Sequence, residues 1–190
     1  VVDAKTMKFH QEHRGEAART MLMGSEQYPL VSLQAGFDLI REKLAGWRSH
    51  VEELAPMGFG HADLILAVPA CWSDCDSLDD FATIARDFRA EHGFRLRIAT
   101  KYHRLVRAWL SGEEVADYQL VDSQGATEGT VANLTAEAIA DITSSGETLR
   151  ANHLKIIGDE PILRSQATLF RSVAAGDEAA VRAFAAQLGL

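Results

Sequence analysis

Cysteine is scarce in this 190-residue chain: only Cys71 and Cys75 occur. With no second pair and no well-spaced histidines they do not spell a zinc site, and reduced thiols of a cytosolic protein are the expectation. Long hydrophobic runs are missing as well. None approaches the ~20 residues a membrane helix needs, and no signal-peptide pattern opens the chain, so no membrane association is expected. Positive charge is in short supply. Against 27 Asp and Glu there are 19 Lys and Arg, a formal net charge of −8, which argues against nonspecific binding to nucleic acid or to an anionic membrane. A local phosphate site made of backbone donors and a few basic side chains is still compatible with that balance. What remains, 47% hydrophobic and 24% charged residues, is the composition of a globular protein able to bury a core as one domain or two small lobes.

The first 28 or so residues are polar, with Met7, Phe9, Met21, Leu22 and Met23 as the candidates for a buried face. His10 and His13 have the i, i+3 spacing of a helical metal pair but no third ligand in view, so solvated histidines are expected. Leu39, Ile40, Leu44 and Trp47 predict a helix from about Phe37 to Trp47, ended by Gly46. A short strand is predicted from Val51 to Leu54, then a turn at 56–60. Ala62 to Pro69 reads as a central strand by its unbroken aliphatic run, stopped by Pro69. Asp74, Asp76, Asp79 and Asp80 resemble a metal cluster, yet they fit a helix start better. Ser77 caps, Asp79 and Asp80 sit in the positive first turn, Phe81, Ile84, Ala85 and Phe88 face the core, and Gly93 closes the helix. Leu96 to Thr100 is the next strand, followed by a helix bearing Leu105, Val106, Trp109 and Leu110. Tyr118 to Val121 is another strand, and 122–129 is a glycine-bearing loop from which Val131, Leu134 and Ala138 lead onward. Strand pairs around Gly158, a returning strand at Ala167–Phe170 and a helix from Asp177 to Leu188 complete the chain. Strands alternating with helices predict an α/β protein with mixed, mostly parallel sheets. Ligands of such sheets gather at the carboxyl ends of strands, and the loops after Thr100, Val121 and Ile142 are therefore expected to form one pocket.

The most informative stretch is Glu137 to Asn152. Ala138, Ile139, Ala140 and Ile142 make a buried strand interrupted by Asp141. Thr143, Ser144, Ser145, Gly146, Glu147 and Thr148 then make a small, hydroxyl-rich turn around one glycine. Such a turn offers short donors and close backbone approach, the needs of a phosphate monoester. Asp141 and Glu147 would repel a bare phosphate, but suit a ligand that also carries sugar hydroxyls or arrives with Mg²⁺. On its own, a Ser-Ser-Gly turn after a strand is more often only a turn.

The wording Asp-Ile-Thr-Ser-Ser-Gly-Glu-Thr-Leu-Arg-Ala-Asn from Asp141 closely resembles the phosphoribosyl-pyrophosphate loop of ATP phosphoribosyltransferases, the first enzymes of histidine biosynthesis. Similar matches lie at Asp38–Glu42, at Gly58–Gly60 with Ala62–Pro69, and at Arg97–Tyr102. Together they span Phe37 to Phe170 and look most like a proteobacterial form. The resemblance implies a two-lobed periplasmic-binding-protein-like fold with the active site in the cleft. The first lobe would comprise residues 1–68 plus 167–190 and the second 69–166. The implied reaction condenses ATP with phosphoribosyl pyrophosphate. By resemblance Ser144, Ser145, Gly146, Glu147 and Thr148 hold the 5′-phosphate, Asp141 and Glu128 lie near the ribose hydroxyls as the catalytic pair, and Lys101 and Tyr102 lie on the nucleotide side. Mg²⁺ is the implied cofactor.

Two features depart from that pattern. The family's opening strand and basic Gly-Arg turn have no counterpart before Tyr28 beyond Arg14-Gly15, and the strand before the Asp38 helix reads Val31 to Gly36 without the usual Thr-Gly. Either the chain lacks part of its first lobe, which is the expectation, or that lobe has diverged. The chain resembles short members of the family, without a histidine-binding regulatory domain. That implies a cytoplasmic homodimer joining a hetero-oligomer with a subunit similar to histidyl-tRNA synthetase. The competing expectation is a two-lobed sugar-phosphate-binding or regulatory protein that has kept the cleft and lost the chemistry. A nucleotide-salvage phosphoribosyltransferase fits less well, because its loop usually carries adjacent acidic residues where this chain has only Asp141.

Overall fold

A computed structural model of the chain describes residues 30–33, 47–123, 127–174 and 178–187. The chain divides into two compact units, one formed by Val1–His61 with Ser165–Leu190 and the other by Ala62–Arg164. The strand expected to straddle the first boundary lies whole within the second unit. The backbone pairing that holds it there runs along most of its length.

The first unit contains a three-stranded antiparallel sheet. Its strands are β1 (Leu30–Leu33), β2 (Val51–Pro56) and β9 (Thr168–Ser172), with β9 in the middle. Phe170, Leu169 and Val51 are buried, and the Arg171 guanidinium pairs with Glu52 directly across from it on β2. A helix, Glu178–Gln187, ends the described chain and buries Val181. The helix predicted from Phe37 to Trp47 lies outside the described residues except for Trp47, which opens a single 3₁₀ turn, Trp47–Ser49.

The second unit holds the site. Its strands are β3 (Ala62–Pro69), β4 (Leu96–Thr100), β5 (Tyr118–Asp122), β6 (Ala138–Thr143) and β7 (Leu154–Ile156), in the order β5-β4-β6-β3-β7, and β8 (Leu163–Ser165) also pairs with β3. The sheet is mixed. β4 runs parallel to β5 and β6, while β3 is antiparallel to β6 and β7. With the described strands of the first sheet antiparallel, and β3 antiparallel to β6 and β7, the parallel pairs β5-β4 and β4-β6 are a smaller share than the strand–helix alternation suggested. Strand direction depends on which strands become neighbours, and composition does not encode that.

The aliphatic runs alternate between two cores because successive side chains of a strand point to opposite faces. Leu64, Leu66, Val68, Leu96, Ile98, Ala138 and Ala140 face α1 (Leu78–His92) and α2 (His103–Gly112), which contribute Phe81, Ala85, Val106 and Leu110. Ile65, Ala67, Ala99 and Ile139 face the opposite way, against Leu149 and Leu154. Helix α1 starts and stops as its sequence prescribes. The Ser77 hydroxyl accepts the Asp80 N–H, the Asp80 carboxylate accepts from the Ser77 N–H, and Gly93 closes the helix at φ 77°. The acidic cluster thus serves the cap, and Asp76 pairs with Lys155 at 2.7 Å.

Of two short helices, α3 (Gly129–Ala132) has no sequence signal of its own, while α4 (Glu147–Ala151) falls where the residues from Leu149 allow either a helix or a short strand. Leu134, just after α3, is 80% exposed at φ 57°. Its carbonyl accepts a hydrogen bond from Arg97.

Arg97 of β4 and Glu137, just before β6, pin the two parallel strands. The guanidinium meets the carboxylate at 2.5 and 3.1 Å, and the Arg97 backbone N–H donates to it at 2.8 Å. Burial alone would raise the Glu137 carboxyl, but the Arg97 hydrogen bonds and charge together hold it below its ordinary value of 4.5. Because the carboxyl ionises more readily in the folded chain, the pair stabilises fully above the unfolded-chain value and that stabilisation is lost as pH falls through the lower, folded one. Glu137→Gln should cost about 1.5–3 kcal/mol at neutral pH. Denaturant unfolding from pH 7 to pH 3 should show a shallower acid-side loss for the variant than for the parent chain.

Candidate functional site

β4, β5 and β6 run in one direction, so the segments that leave them emerge at the same end of the sheet. The contacts among those segments show it. The Ser123 N–H donates to the Thr100 carbonyl at 3.3 Å, His103 lies 3.3 Å from the Asp122 carboxylate, and Lys101 Nζ lies 3.7 Å from Asp141 Oδ2.

A pocket of about 350 Å³ opens there, lined chiefly by Glu128, Asp141, Thr143, Ser144, Ser145 and Thr148 over the side chains of Ile139 and Leu149. Its construction follows from β6. Ile139, Asp141 and Thr143 share one face of the strand, the face that packs toward Leu149 of α4. Ile139 is buried, whereas Asp141 lies one step nearer the open end and is half-buried. The strand thus carries its carboxylate to the place where the core gives way to the pocket. Asp141 Oδ1 accepts from the Ile142 N–H at 2.8 Å, and Oδ2 faces Lys101. Glu128 caps α3, and its carboxylate has no hydrogen-bond or ion-pair partner among the described residues.

The turn after β6 is drawn tight by its own hydroxyls. Thr143 Oγ1 accepts the Gly146 N–H at 3.0 Å, and Ser145 Oγ accepts the Glu147 N–H at 3.3 Å. Those two donors are therefore occupied within the turn, while the N–H groups of Ser145 and Thr148 find no acceptor among the described residues. A ligand at this turn meets mainly side-chain hydroxyls and the latter donors. Gly146 adopts φ 70°, in the left-handed region that a side chain disfavours.

Of the residues singled out from sequence, Glu128, Asp141, Ser144, Ser145 and Thr148 come together as pocket lining. Gly146 and Glu147 shape the turn between Ser145 and Thr148. Lys101 stands beside the pocket through Asp141, and the Tyr102 N–H is held by Thr100 Oγ1 at 3.0 Å. The sequence marks Thr143 only as part of the turn. Its place on the Asp141 face, two residues along the strand, is the signal that marks it as a lining residue.

Among the described residues no three His, Cys, Asp or Glu side chains gather as a ready-made metal cage. Mg²⁺ seldom uses one: it is commonly held by one or two carboxylates together with substrate phosphates. Asp141 and Glu128, on the same pocket, are a donor set of that kind. The cysteines take no part. Burial pushes the Cys75 thiol up to about 11, against the opposing pull of Lys155, which leaves it protonated and unreactive at neutral pH. The His10–His13 pair lies outside the described residues. No helix among them is long and apolar enough to cross a membrane.

Comparison with known proteins matches residues 34–189 to the family described as "HisG: ATP phosphoribosyltransferase". An ATP phosphoribosyltransferase of Cereibacter sphaeroides is 68% identical over 158 residues, covering 82% of this chain and 67% of the relative. One of Mesorhizobium japonicum is 51% identical over 151 residues, covering 77% and 65%. The chain thus spans about two thirds of the length of these relatives. Among solved structures, the ATP phosphoribosyl transferase (HisG:HisZ) complex from Thermotoga maritima superposes with a TM-score of 0.61 at 17% identity, over 84% of this chain and 67% of that one. A probable amino-acid ABC transporter extracellular-binding protein from Bacillus subtilis gives 0.52 at 12% identity, over 83% and 62%. The two structural likenesses establish a shared α/β fold of the periplasmic-binding-protein kind, and nothing about ligands.

The αL turn supplies a direct test of the pocket's backbone. Gly146→Ala should destabilise the chain by about 1–2 kcal/mol for the left-handed conformation. A Cβ there would stand 3.1 Å from Arg150 Nη1, the far end of a flexible side chain. At Gly93, also at positive φ, a Cβ would meet nothing within 4 Å. Arg150 can swing aside, so denaturant unfolding should give the two Gly→Ala variants similar losses.

Proposed function

The chain belongs to the ATP phosphoribosyltransferase family, and on that premise we propose that the pocket at the end of β6 binds phosphoribosyl pyrophosphate. The reaction is its condensation with ATP to N1-(5-phosphoribosyl)-ATP and pyrophosphate, the first step of histidine biosynthesis. The observation that supports this best is the union, in one pocket, of two carboxylates with a hydroxyl-lined turn. A phosphorylated sugar presents both complements: hydroxyls that carboxylates accept from, and a phosphate that hydroxyl and N–H donors hold.

In the transfer, adenine N1 forms a bond to ribose C1 as the bond from C1 to the pyrophosphate oxygen breaks, with inversion. Positive charge builds on the ribose and negative charge on the departing pyrophosphate. The protein's task is then to position and to stabilise charge. Ser144, Ser145 and Thr148 hold the 5′-phosphate, with Gly146 and Glu147 giving the turn its shape. Asp141 and Glu128 accept from the ribose hydroxyls and face the growing positive charge. They are also the residues that would hold Mg²⁺, which when bound offsets the charge of the pyrophosphate. Lys101 and Tyr102, leaving β4 beside the pocket, serve the nucleotide side. The 3.7 Å approach of Lys101 to Asp141 makes that side electrostatically continuous with the sugar side.

The reading extends to a cytoplasmic enzyme whose homodimer joins a regulatory subunit similar to histidyl-tRNA synthetase. The relevant structural relative was solved as a HisG:HisZ complex. A binding protein without chemistry shares only the fold, whereas 68% identity to a named transferase favours the enzyme.

Calorimetry with phosphoribosyl pyrophosphate and Mg²⁺ on the full-length protein tests this. The native protein should bind, Gly146→Val should abolish measurable binding, and Asp141→Asn should weaken it about ten- to a hundredfold, as for loss of a hydrogen bond to a charged group. Undiminished affinity in both variants would remove the sugar phosphate from this pocket.

A further inference from the structure

Among the described residues Glu128 reaches the pocket with no side-chain partner, and within them it is its backbone that aims the carboxylate. That backbone is fixed from one side by an unusual neighbour. Thr127 is fully buried and Ser123 nearly so, and both carry hydroxyls into the interior. Ser123 Oγ donates to Thr127 Oγ1 at 2.7 Å. Burying two hydroxyls costs free energy unless each is bonded, and valine would fill the Thr127 site without that cost. A polar pair at such a position fixes one geometry where apolar contact would allow several.

The pair is anchored at both ends. The Ser123 N–H donates to the Thr100 carbonyl, tying the exit of β5 to the end of β4. The Thr127 carbonyl accepts from Thr130 Oγ1 at 2.6 Å and from the Thr130 N–H at 3.0 Å, tying it to the first turn of α3. Glu128 lies between these ties, with helical backbone angles of φ −60° and ψ −25°. Neither Ser123 nor Thr127 lines the pocket, whereas Glu128, the residue after Thr127, does.

We infer that the Ser123–Thr127 hydroxyl pair is a positioning device for Glu128, holding its carboxylate on the sugar side of the pocket and thereby setting affinity for the phosphoribosyl group. The inference rests on the reading of the pocket given above. A pair that merely closed the loop would affect folding stability without distinguishing the two substrates.

The test uses steady-state kinetics of the full-length protein carrying Thr127→Val, Thr127→Ser or Ser123→Ala, with Thr127→Val and Ser123→Ala repeated in a Glu128→Gln background. Thr127→Val and Ser123→Ala should raise KM for phosphoribosyl pyrophosphate about tenfold, the scale of one misplaced hydrogen bond, with KM for ATP changed less than about twofold. Thr127→Ser, which keeps the hydroxyl, should restore most of the lost affinity. In the Glu128→Gln background the further change should vanish, because residues acting through one another are not additive. Should Thr127→Val fail to fold, Ser123→Ala carries the same comparison. An active parent protein whose Thr127→Val or Ser123→Ala variant keeps its KM, or loses as much affinity with Glu128→Gln as without it, overturns the inference alone. A parent protein that fails to bind phosphoribosyl pyrophosphate overturns the reading of the pocket and the inference with it.

Discussion

Everything in the second unit depends on how β6 is paired. Five residues of it run antiparallel to β3 and three run parallel to β4, and its first half is buried on both faces. The parallel side carries functional weight, because only strands running the same way deliver their exits to the same end. Had β4 and β6 paired antiparallel, Lys101 and Asp141 would have left the sheet at opposite ends. The Arg97–Glu137 pair secures this choice at the other end of the two strands, with a charge-assisted contact that a shifted register would break.

Asp141 illustrates the tension between core and site. Placed at the centre of β6 it would require desolvating a carboxylate, a cost that only a close partner offsets. One residue after Ala140, it sits where the sheet opens, with a backbone N–H on one oxygen and the Lys101 ammonium near the other. The strand supplies rigidity up to the last buried residue, and chemistry begins at the next one. The hydroxyl turn that follows continues the same economy, being held by two internal hydrogen bonds instead of a long helix.

Much of this was legible in the residues themselves. The β3 run from Ala62 to Pro69 and the α1 signals at Ser77, Asp80 and Gly93 are local, since they rest on periodicity, caps and breakers that act within a few residues. The pocket residues were legible for a different reason: the wording from Asp141 to Asn152 resembles a phosphoribosyl-pyrophosphate loop, whereas a hydroxyl-rich glycine turn by itself is more often only a turn. Strand direction was less so, because the antiparallel lie of β3 against β6 is decided by contacts across the chain. The one-turn helix α3 is too short to display a period, and Leu134 shows how an apolar residue beside it can end up facing water. A threonine in a polar loop such as Thr127 reads as solvated, and only the fold shows it buried.

The first unit's sheet has a different kind of order. Its middle strand, β9, is the last of the described strands to be made, and β1 and β2 each find their hydrogen-bond partner in it rather than in one another. The second unit is built from one uninterrupted stretch of chain. During synthesis, then, the second unit has all its described strands in hand while the sheet of the first unit still waits for its centre. β1 and β2 must remain unzipped until the ribosome has delivered β9. Their exposed edges make that interval the one in which a chaperone, or another nascent chain, would find the most to bind.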